Sequence, residues 1–345
     1  MRQLVTKNSP VLVALIAVFA ITLVLRHFHS GPSAAPDFPQ GASGAPVIVT
    51  IGNGESGSEI AQNLFSLKVV KSADAFFRVA VADPRSSRIA PGDHLLDTSI
   101  PAKEALEQLL DKDRIQGLIE IADGARLAEV ITSMVSVGYS KTDIAKAMKS
   151  LALPLNVKSG NPEGFLYPAH YSFARGTSAE QVFEKMVNTF IDQTTSLDFS
   201  QSVEGFTGYQ LLIIASLIQA EADPKDYGKV SRTIYNRLRI NMPLQLDTTV
   251  QYLLKRRGEI TLALKDTKIK SAYNTYQHYG LPPGPIGSPT IAAMKAALTP
   301  EAGDWLYFIT VAPGDTRFTK SHDEFLVWKR EYQKNVKAGL FKVKP

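Results

Sequence analysis

Glu221 is a carboxylate at the end of an apolar run. The stretch YQLLIIASLIQAEA (209–222) reads as a helix in which Glu221 follows Ile214 by seven residues, Leu217 by four and Ile218 by three. Those spacings put it on one face with three large apolar side chains. A carboxyl group in that setting is partly desolvated, which disfavours its charged form and raises its pKa. Proton donation to a glycosidic oxygen near neutral pH needs such a group. Spacing alone equally describes a glutamate that emerges into solvent at a helix end, so its neighbours must decide. Asp223 and Asp226 need no chemistry. DPKD (223–226) reads as an N-cap, a proline at the first helical position and an acidic first turn, opening a helix over 225–240 with Val230, Ile234 and Leu238 inward.

Three downstream strings have little structural reason for their composition: LQLDTTV (244–250), YNTY (273–276) and GLPPGPI (280–286), the last followed by Pro289. Aromatic rings cover the C–H face of a sugar, and Asn, Gln, Asp and Thr tips bond its hydroxyl and N-acetyl groups. The candidate substrate-binding set is Asn236, Arg237, Gln245, Asp247, Thr248, Tyr273, Asn274 and Tyr276. Loop scaffolding is the competing role for these residues, and Arg237 suits an anionic substrate. The proline loop 280–289 is expected to shape one wall of a cleft.

These residues need elements to hold them. A β-branched strand at 47–51, a helix over 56–67, a second over 73–81, a turn at 91–93, a strand at 94–97 and a helix over 102–110 form a compact first unit. Strand, two helices and strand in so short a span is a LysM-like arrangement. It suits either glycan binding or a plain spacer role. A further strand is expected over 115–122, then helices at 126–137 and 141–151. A Pro/Gly/aromatic loop follows at 161–171, and a long amphipathic helix at 179–192.

The N-terminus points to a membrane. Arg2 and Lys7 precede an apolar run over 11–25, followed by Arg26, His27 and His29. Fifteen helical residues reach about 22 Å against a hydrocarbon core of about 30 Å, a gap that Phe28 and a snorkelling Arg26 can close. An uncleaved signal anchor with a cytoplasmic N-terminus is the expectation, and a cleaved signal peptide is its rival. Residues 30–46, rich in Pro, Gly, Ser and Ala, read as a tether. Of the 345 residues, 44% are hydrophobic and 21% charged, which is ordinary for folded domains. The net charge of +5 suits an acidic polymer or a membrane surface, or simply a solvated face. No basic block dense enough to grip nucleic acid is present, so nucleic acid is not an expected partner. With no cysteine, disulfides, thiolate metal sites and a cysteine nucleophile are excluded.

The motif series is specific as a set. EGFLYP (163–168), ASLIQAEA (215–222), YNRLRINMPLQLDTTVQY (235–252), YNTYQHYGLPPGPIGSP (273–289) and WLYFITVAPG (305–314), in that order, resemble the MltG/YceG-like family of endolytic murein transglycosylases. The resemblance runs over about 163–332. It implies an α+β protein with an N-terminal transmembrane helix (1–29), a linker (30–46), a small LysM-like subdomain (47–111), a connecting α/β region (112–160) and a mixed α/β catalytic domain (161–340). It also implies that the second Glu of the family's E-x-E string is catalytic. Here that string is Gln219-Ala220-Glu221, so the role falls to Glu221 and the first carboxylate is replaced by an amide. Two further departures follow: Pro168 is succeeded by Ala169-His170-Tyr171, and a late Glu-His pair stands as Glu324-Phe325, with His322 nearby.

The implied reaction needs no metal or cofactor. Glu221 protonates the leaving oxygen of the MurNAc–GlcNAc bond, and the MurNAc C6 hydroxyl attacks its own anomeric carbon to leave a 1,6-anhydro end. The implied partners are nascent peptidoglycan strands, the cell membrane and peptidoglycan synthases (penicillin-binding proteins), with the catalytic domain outside the cell membrane. A hydrolase using Asp247 as a second carboxylate and a non-enzymatic wall-binding scaffold are the competing readings.

Overall fold

The structure is a computed structural model, and it describes residues 35–52, 54–157, 160–173, 176–258 and 262–341. The expected signal anchor lies outside the described residues. Among the described residues no helix is long and apolar enough to cross a membrane. The chain divides into two compact units, with the boundary after Gln116.

In the first unit β1 (Pro46–Ile51) pairs antiparallel with β2 (Gly92–Asp97), Pro46 opposite Asp97 and Ile51 opposite Gly92. Between them run α1 (Gly57–Ser66) and α2 (Ala73–Ala82), so the expected strand–helix–helix–strand order is observed. Ser56 starts α1 with a capping box, its hydroxyl accepting from the Glu59 amide while the Glu59 carboxylate accepts from the Ser56 amide. Gly92 and Asp93 belong to β2 rather than to the expected turn, paired with Ile51 and Thr50. After α3 (Ala102–Leu110), the short β3 (Ile115–Gln116) adds to β2. The core gathers Val49, Leu64, Phe76, Leu96, Ile100, Leu106 and Leu109. Phe77 and Val81, assigned by sequence to the same helix as Phe76, stand 41% and 71% exposed, because they fall on its outer face.

The expected single strand over 115–122 is broken. Gly117 adopts φ +73, a left-handed conformation open to glycine, and ends β3. The chain resumes as β4 (Ile119–Ile121), which opens the second unit and pairs with β5 (Ala169–Tyr171) in another sheet. The Ala169-His170-Tyr171 departure is thus a strand, with His170 opposite Glu120.

In the second unit α4 (Leu127–Ser136), α5 (Lys141–Ser150) and α6 (Ala179–Thr194) contribute Val130, Met134, Ile144, Val182, Phe183, Met186 and Phe190 to a large core. The helix that carries Glu221, α7 (Tyr209–Glu221), runs through that core. The apolar stripe expected for it is an understatement: every residue from Leu211 to Ile218 is buried. A helix apolar on all sides has no solvent face and must be surrounded. Its neighbours are α8 (Tyr227–Arg239), α9 (Asp247–Leu253) and α10 (Ile291–Leu298). The one polar side chain in the buried stretch, Ser216, donates to the Ile213 carbonyl at 2.7 Å and accepts the Ile286 amide at 3.1 Å. A hairpin, β6 (Tyr307–Ala312) with β7 (Asp315–Thr319), and the helix α11 (His322–Lys337) complete the unit.

The Asp223-Pro224-Lys225-Asp226 start signal is real in position but not in bonding. It forms a short 3-10 turn over Pro224–Asp226, the Asp223 side chain makes no cap bond, and the α-helix proper begins at Tyr227.

Candidate active site

Glu221 ends α7 where the helix leaves the core, and it is only partly exposed. The chain turns back through α8 and brings the first turn of α9 against it. The Thr248 hydroxyl donates to Glu221 Oε1, and the Thr248 amide donates to the same oxygen at 3.4 Å. That amide lies in the first turn of α9, where backbone N–H groups have no partner within the helix. Next to it, Asp247 accepts a hydrogen bond from the Tyr276 hydroxyl.

The electrostatic balance at Glu221 follows from these neighbours. Burial pushes its pKa up from the ordinary 4.5 to about 7, and the negative charge of Asp247 pushes the same way. The bonds from Thr248 and the positive charge of Arg237 oppose this. Burial also raises the Tyr276 phenol, with the Asp247 charge next. The result is a carboxylic acid that still holds its proton near neutrality beside an ionisable neighbour, the arrangement a general acid requires.

The structure brings Asp247, Thr248 and Tyr276 to Glu221 and commits the other predicted residues elsewhere. Arg237 is 7% exposed; its Nε donates to the Leu306 carbonyl at 2.6 Å, its Nη1 to the Leu244 carbonyl, and its guanidinium lies 5.5 Å from the centre of the Tyr307 ring. It acts on Glu221 through charge, and it anchors the loop ahead of α9. Asn236 donates to the Gly303 and Trp305 carbonyls at 3.2 and 2.9 Å and lines a cavity of about 330 Å³ whose lining does not include Glu221. Asn274 is fully buried, donates to the Thr267 and Ile269 carbonyls and accepts the Tyr276 amide, so its side chain pins the loop that presents Tyr276. Gln245 is exposed in a left-handed conformation (φ +48), its amide donating to the Thr275 carbonyl at 3.1 Å. Tyr273 packs on Tyr252, ring centres 5.2 Å apart.

The proline loop is built inward. Pro282 and residues 284–289 are buried against α7 and the start of α4. Gly284 lies close to two tyrosine tips: a Cβ at that position would meet the Tyr273 and Tyr209 hydroxyls at 2.8 and 2.9 Å, and those side chains would have to shift. Gln219, the departure from E-x-E, accepts from the Thr290 amide at 3.0 Å and hydroxyl at 2.7 Å, at the N-terminus of α10.

One buried acid escaped the sequence reading as a titratable group. Glu163, quoted above only as part of a loop motif, is 3% exposed; it accepts from the Leu127 amide and the Tyr252 hydroxyl, both at 2.9 Å. Burial pushes it up to about 7 against those two bonds and the charge of Arg126. The signal was present: a lone carboxylate inside Pro162-Glu163-Gly164-Phe165-Leu166 has apolar and turn residues on both sides.

The second unit thus combines helices and short strands around a buried helix that ends in an acid with a raised pKa. A model of the YceG-like family matches residues 49–331, and the chain belongs to that family. A protein of Bacillus subtilis (strain 168) named endolytic murein transglycosylase is 30% identical over 306 residues, covering 83% of this chain and 84% of that one. A protein of Streptococcus pneumoniae (strain ATCC BAA-255 / R6) with the same name is 34% identical over 169 residues, which is 47% of this chain and 30% of the pneumococcal one. In structure, a YceG-like protein from Listeria monocytogenes aligns with a TM-score of 0.56 at 28% identity, over 83% of this chain and 99% of that one.

Proposed function

We propose that this chain is an endolytic lytic transglycosylase of peptidoglycan, with Glu221 as its acid and base. The observation that carries the mechanism is the environment of Glu221: burial and Asp247 hold it protonated to about pH 7, while Thr248 fixes one of its oxygens. Glu221 donates its proton to the leaving GlcNAc oxygen as the bond to the MurNAc anomeric carbon breaks. The MurNAc C6 hydroxyl then bonds to that carbon and returns its proton to Glu221. Net, one proton moves from the C6 oxygen to the leaving oxygen, no water is consumed, and the new end is 1,6-anhydro-MurNAc. An intramolecular nucleophile replaces the second carboxylate that most glycosidases use. The Bacillus and pneumococcal relatives carry the name of this activity.

Asp247 and Tyr276 orient the acid and its proton, and Gln245, exposed beside them, is available to the glycan. The β1-α1-α2-β2 unit is LysM-like in this reading. A groove of about 520 Å³ lined by Glu55, Phe77, Asp83, Ser86 and Ser87, among others, offers it one exposed ring, Phe77, and polar tips for a sugar. The basic, apolar N-terminus anchors the chain in the cell membrane with the catalytic unit outside. There it trims strands beside the synthases that make them.

Glu221→Gln tests the assignment. Purified variant and wild type are incubated with uncrosslinked glycan strands and the products weighed by mass spectrometry. The wild type releases anhydro ends, one water lighter than reducing ends, and the variant releases none while melting at an unchanged temperature. Release by the variant at the wild-type rate would remove Glu221 from the mechanism, and reducing ends from the wild type would make the enzyme a hydrolase.

A further inference from the structure

Two acids are bonded to one face of a single short helix. Thr248 and Tyr252 are four residues apart on α9, so their side chains stand one above the other. The Thr248 hydroxyl donates to Glu221, and the Tyr252 hydroxyl donates to Glu163 Oε2 at 2.9 Å.

Glu163 is built in from several sides. Its Oε1 accepts the Leu127 amide, a first-turn donor of α4 that has no partner within the helix. The preceding residue, Arg126, reaches the far end of α9: its Nη1 donates to the Gln251 carbonyl at 3.2 Å and the Arg256 carbonyl at 2.8 Å, and its guanidinium sits 5.5 Å from the Tyr252 ring centre. Gly164 presses on Pro285 so closely that a Cβ would meet it at 2.6 Å, which leaves the 163–164 backbone no room to drift. A helix of seven residues cannot set its own position in a fold, because so few internal bonds form for the residues ordered. The groups that grip α9 therefore decide where Thr248 points.

We propose that Glu163 is a positioning residue for the reaction: through Tyr252 it fixes the rotation of α9, and with it the Thr248 hydroxyl against Glu221. The inference rests on the transglycosylase reading of the site. It gives the buried acid a task that capping α4 alone does not require, since capping needs only the bond to Leu127.

The charged and titratable groups around both acids are few enough to name. Asp247, Tyr276 and Arg237 act on Glu221 or are acted on by it. Arg126, Glu129, Tyr252, Tyr209 and Tyr273 surround Glu163. No group stands among the leading influences on both acids, and the hydrogen-bonded path that joins them runs through Tyr252 and Thr248 of α9.

The test is the pH–rate profile of anhydro-end release by the full chain carrying Thr248→Val, Tyr252→Phe, Glu163→Gln and the pairs with Thr248→Val. Donation from Thr248 favours the ionised form of Glu221, so losing it raises the pKa of the acid. A general acid works while protonated, so the alkaline limb moves to higher pH. For each single variant the expected shift is about half a unit to one unit, with kcat about 5- to 10-fold lower near neutrality and KM within about twofold. In the Thr248→Val background, Tyr252→Phe and Glu163→Gln are expected to move the limb no further. A capping role alone lowers the melting temperature and leaves the limb in place. An unmoved limb in Tyr252→Phe, an unmoved limb in Thr248→Val, or a full second shift in the pairs overturns the proposal. Should Glu163→Gln not fold, Tyr252→Phe decides by the same outcomes. If the wild type releases no anhydro ends, the transglycosylase reading itself fails. If wild-type release is normal while the limbs stay fixed, only this inference does.

Discussion

The Thr248 hydroxyl donates to the carboxyl group of Glu221 and so opposes the burial that keeps that acid neutral. Burial leads the upward push and Asp247 adds to it; Thr248 and the buried Arg237 pull down, and the acid settles at about 7. At that value about half of the enzyme carries the proton at pH 7, and a change of one unit alters the minority form up to about tenfold. Neighbours of the acid therefore set its working pH range.

Asp247→Asn separates charge from hydrogen bonding. Asparagine keeps an oxygen to accept from the Tyr276 hydroxyl, and only the negative charge is lost. The pKa of Glu221 then falls, and the alkaline limb of the pH–rate profile moves to lower pH by about half a unit to one unit, cutting activity at pH 8 by about 3- to 10-fold. Activity on the acid side of the profile is retained. A limb that moves upward would contradict the role given to Asp247. Equal loss at every pH would instead mark Asp247 as a chemical participant, as in a hydrolase.

Glu163 makes stability depend on pH in an unusual direction. Its folded-state pKa of about 7 lies above the ordinary 4.5, so between those values the folded state binds more protons than the unfolded state. Stability then falls as pH rises through that window, by on the order of 3 kcal/mol for a group so fully buried. Glu221, also raised to about 7, adds to this slope, and His94, lowered by burial, opposes it below the ordinary 6.5, so the prediction is a difference: the melting temperature falls less from pH 5 to pH 7.5 in Glu163→Gln than in the wild type. The carboxylates with lowered pKa, such as Asp83 at about 2, lose their contribution only below their ordinary range and do not mask the effect. Calorimetry across pH 4.5–8 on both proteins provides the check, and an equal slope in both would remove Glu163 as its source.

Gly164→Ala tests how tightly the proline loop is set. Gly164 has φ +89, and its new methyl would lie 2.6 Å from Pro285 Cγ. Left-handed strain and overpacking together are expected to cost about 2–4 kcal/mol, read as a lower urea midpoint. A midpoint within experimental error of wild type would mean that the loop yields freely.

Much of this was legible in the chain because it depends on local pattern. The helices from α1 to α8 followed from apolar spacing, and Glu221 was singled out by its motif. What could not be read was the division of labour among polar residues that look alike in sequence. Asn274 and Thr248 are both short polar side chains in loops or helix starts, yet one is sealed against the Thr267 and Ile269 carbonyls and the other faces the acid. That distinction is made by contacts 27 residues apart in the case of Thr248 and Glu221, and 89 apart for Tyr252 and Glu163. The break at Gly117 was hidden for a different reason, since Ile115 and Ile119 stand two residues to either side in a strand-like pattern and the backbone angle of the glycine ends the strand.

Gln219→Glu restores the carboxylate that the family string carries two residues before Glu221. Gln219 Oε1 accepts from the Thr290 amide and hydroxyl at the start of α10, and a carboxylate oxygen can keep both bonds. A negative charge at a helix N-terminus is favourable by about 0.3–1 kcal/mol, so the fold is expected to be unchanged or slightly more stable. The same charge lies one side chain away from Glu221 along α7 and disfavours its ionisation. The alkaline limb is therefore expected to move to higher pH, by less than in Thr248→Val, because the two bonds at α10 hold the new charge away from the acid. Melting temperature and pH–rate profile measured on one preparation read the two effects separately. A limb displaced toward lower pH would mean that residue 219 reaches Glu221 by moving α10 rather than by its charge.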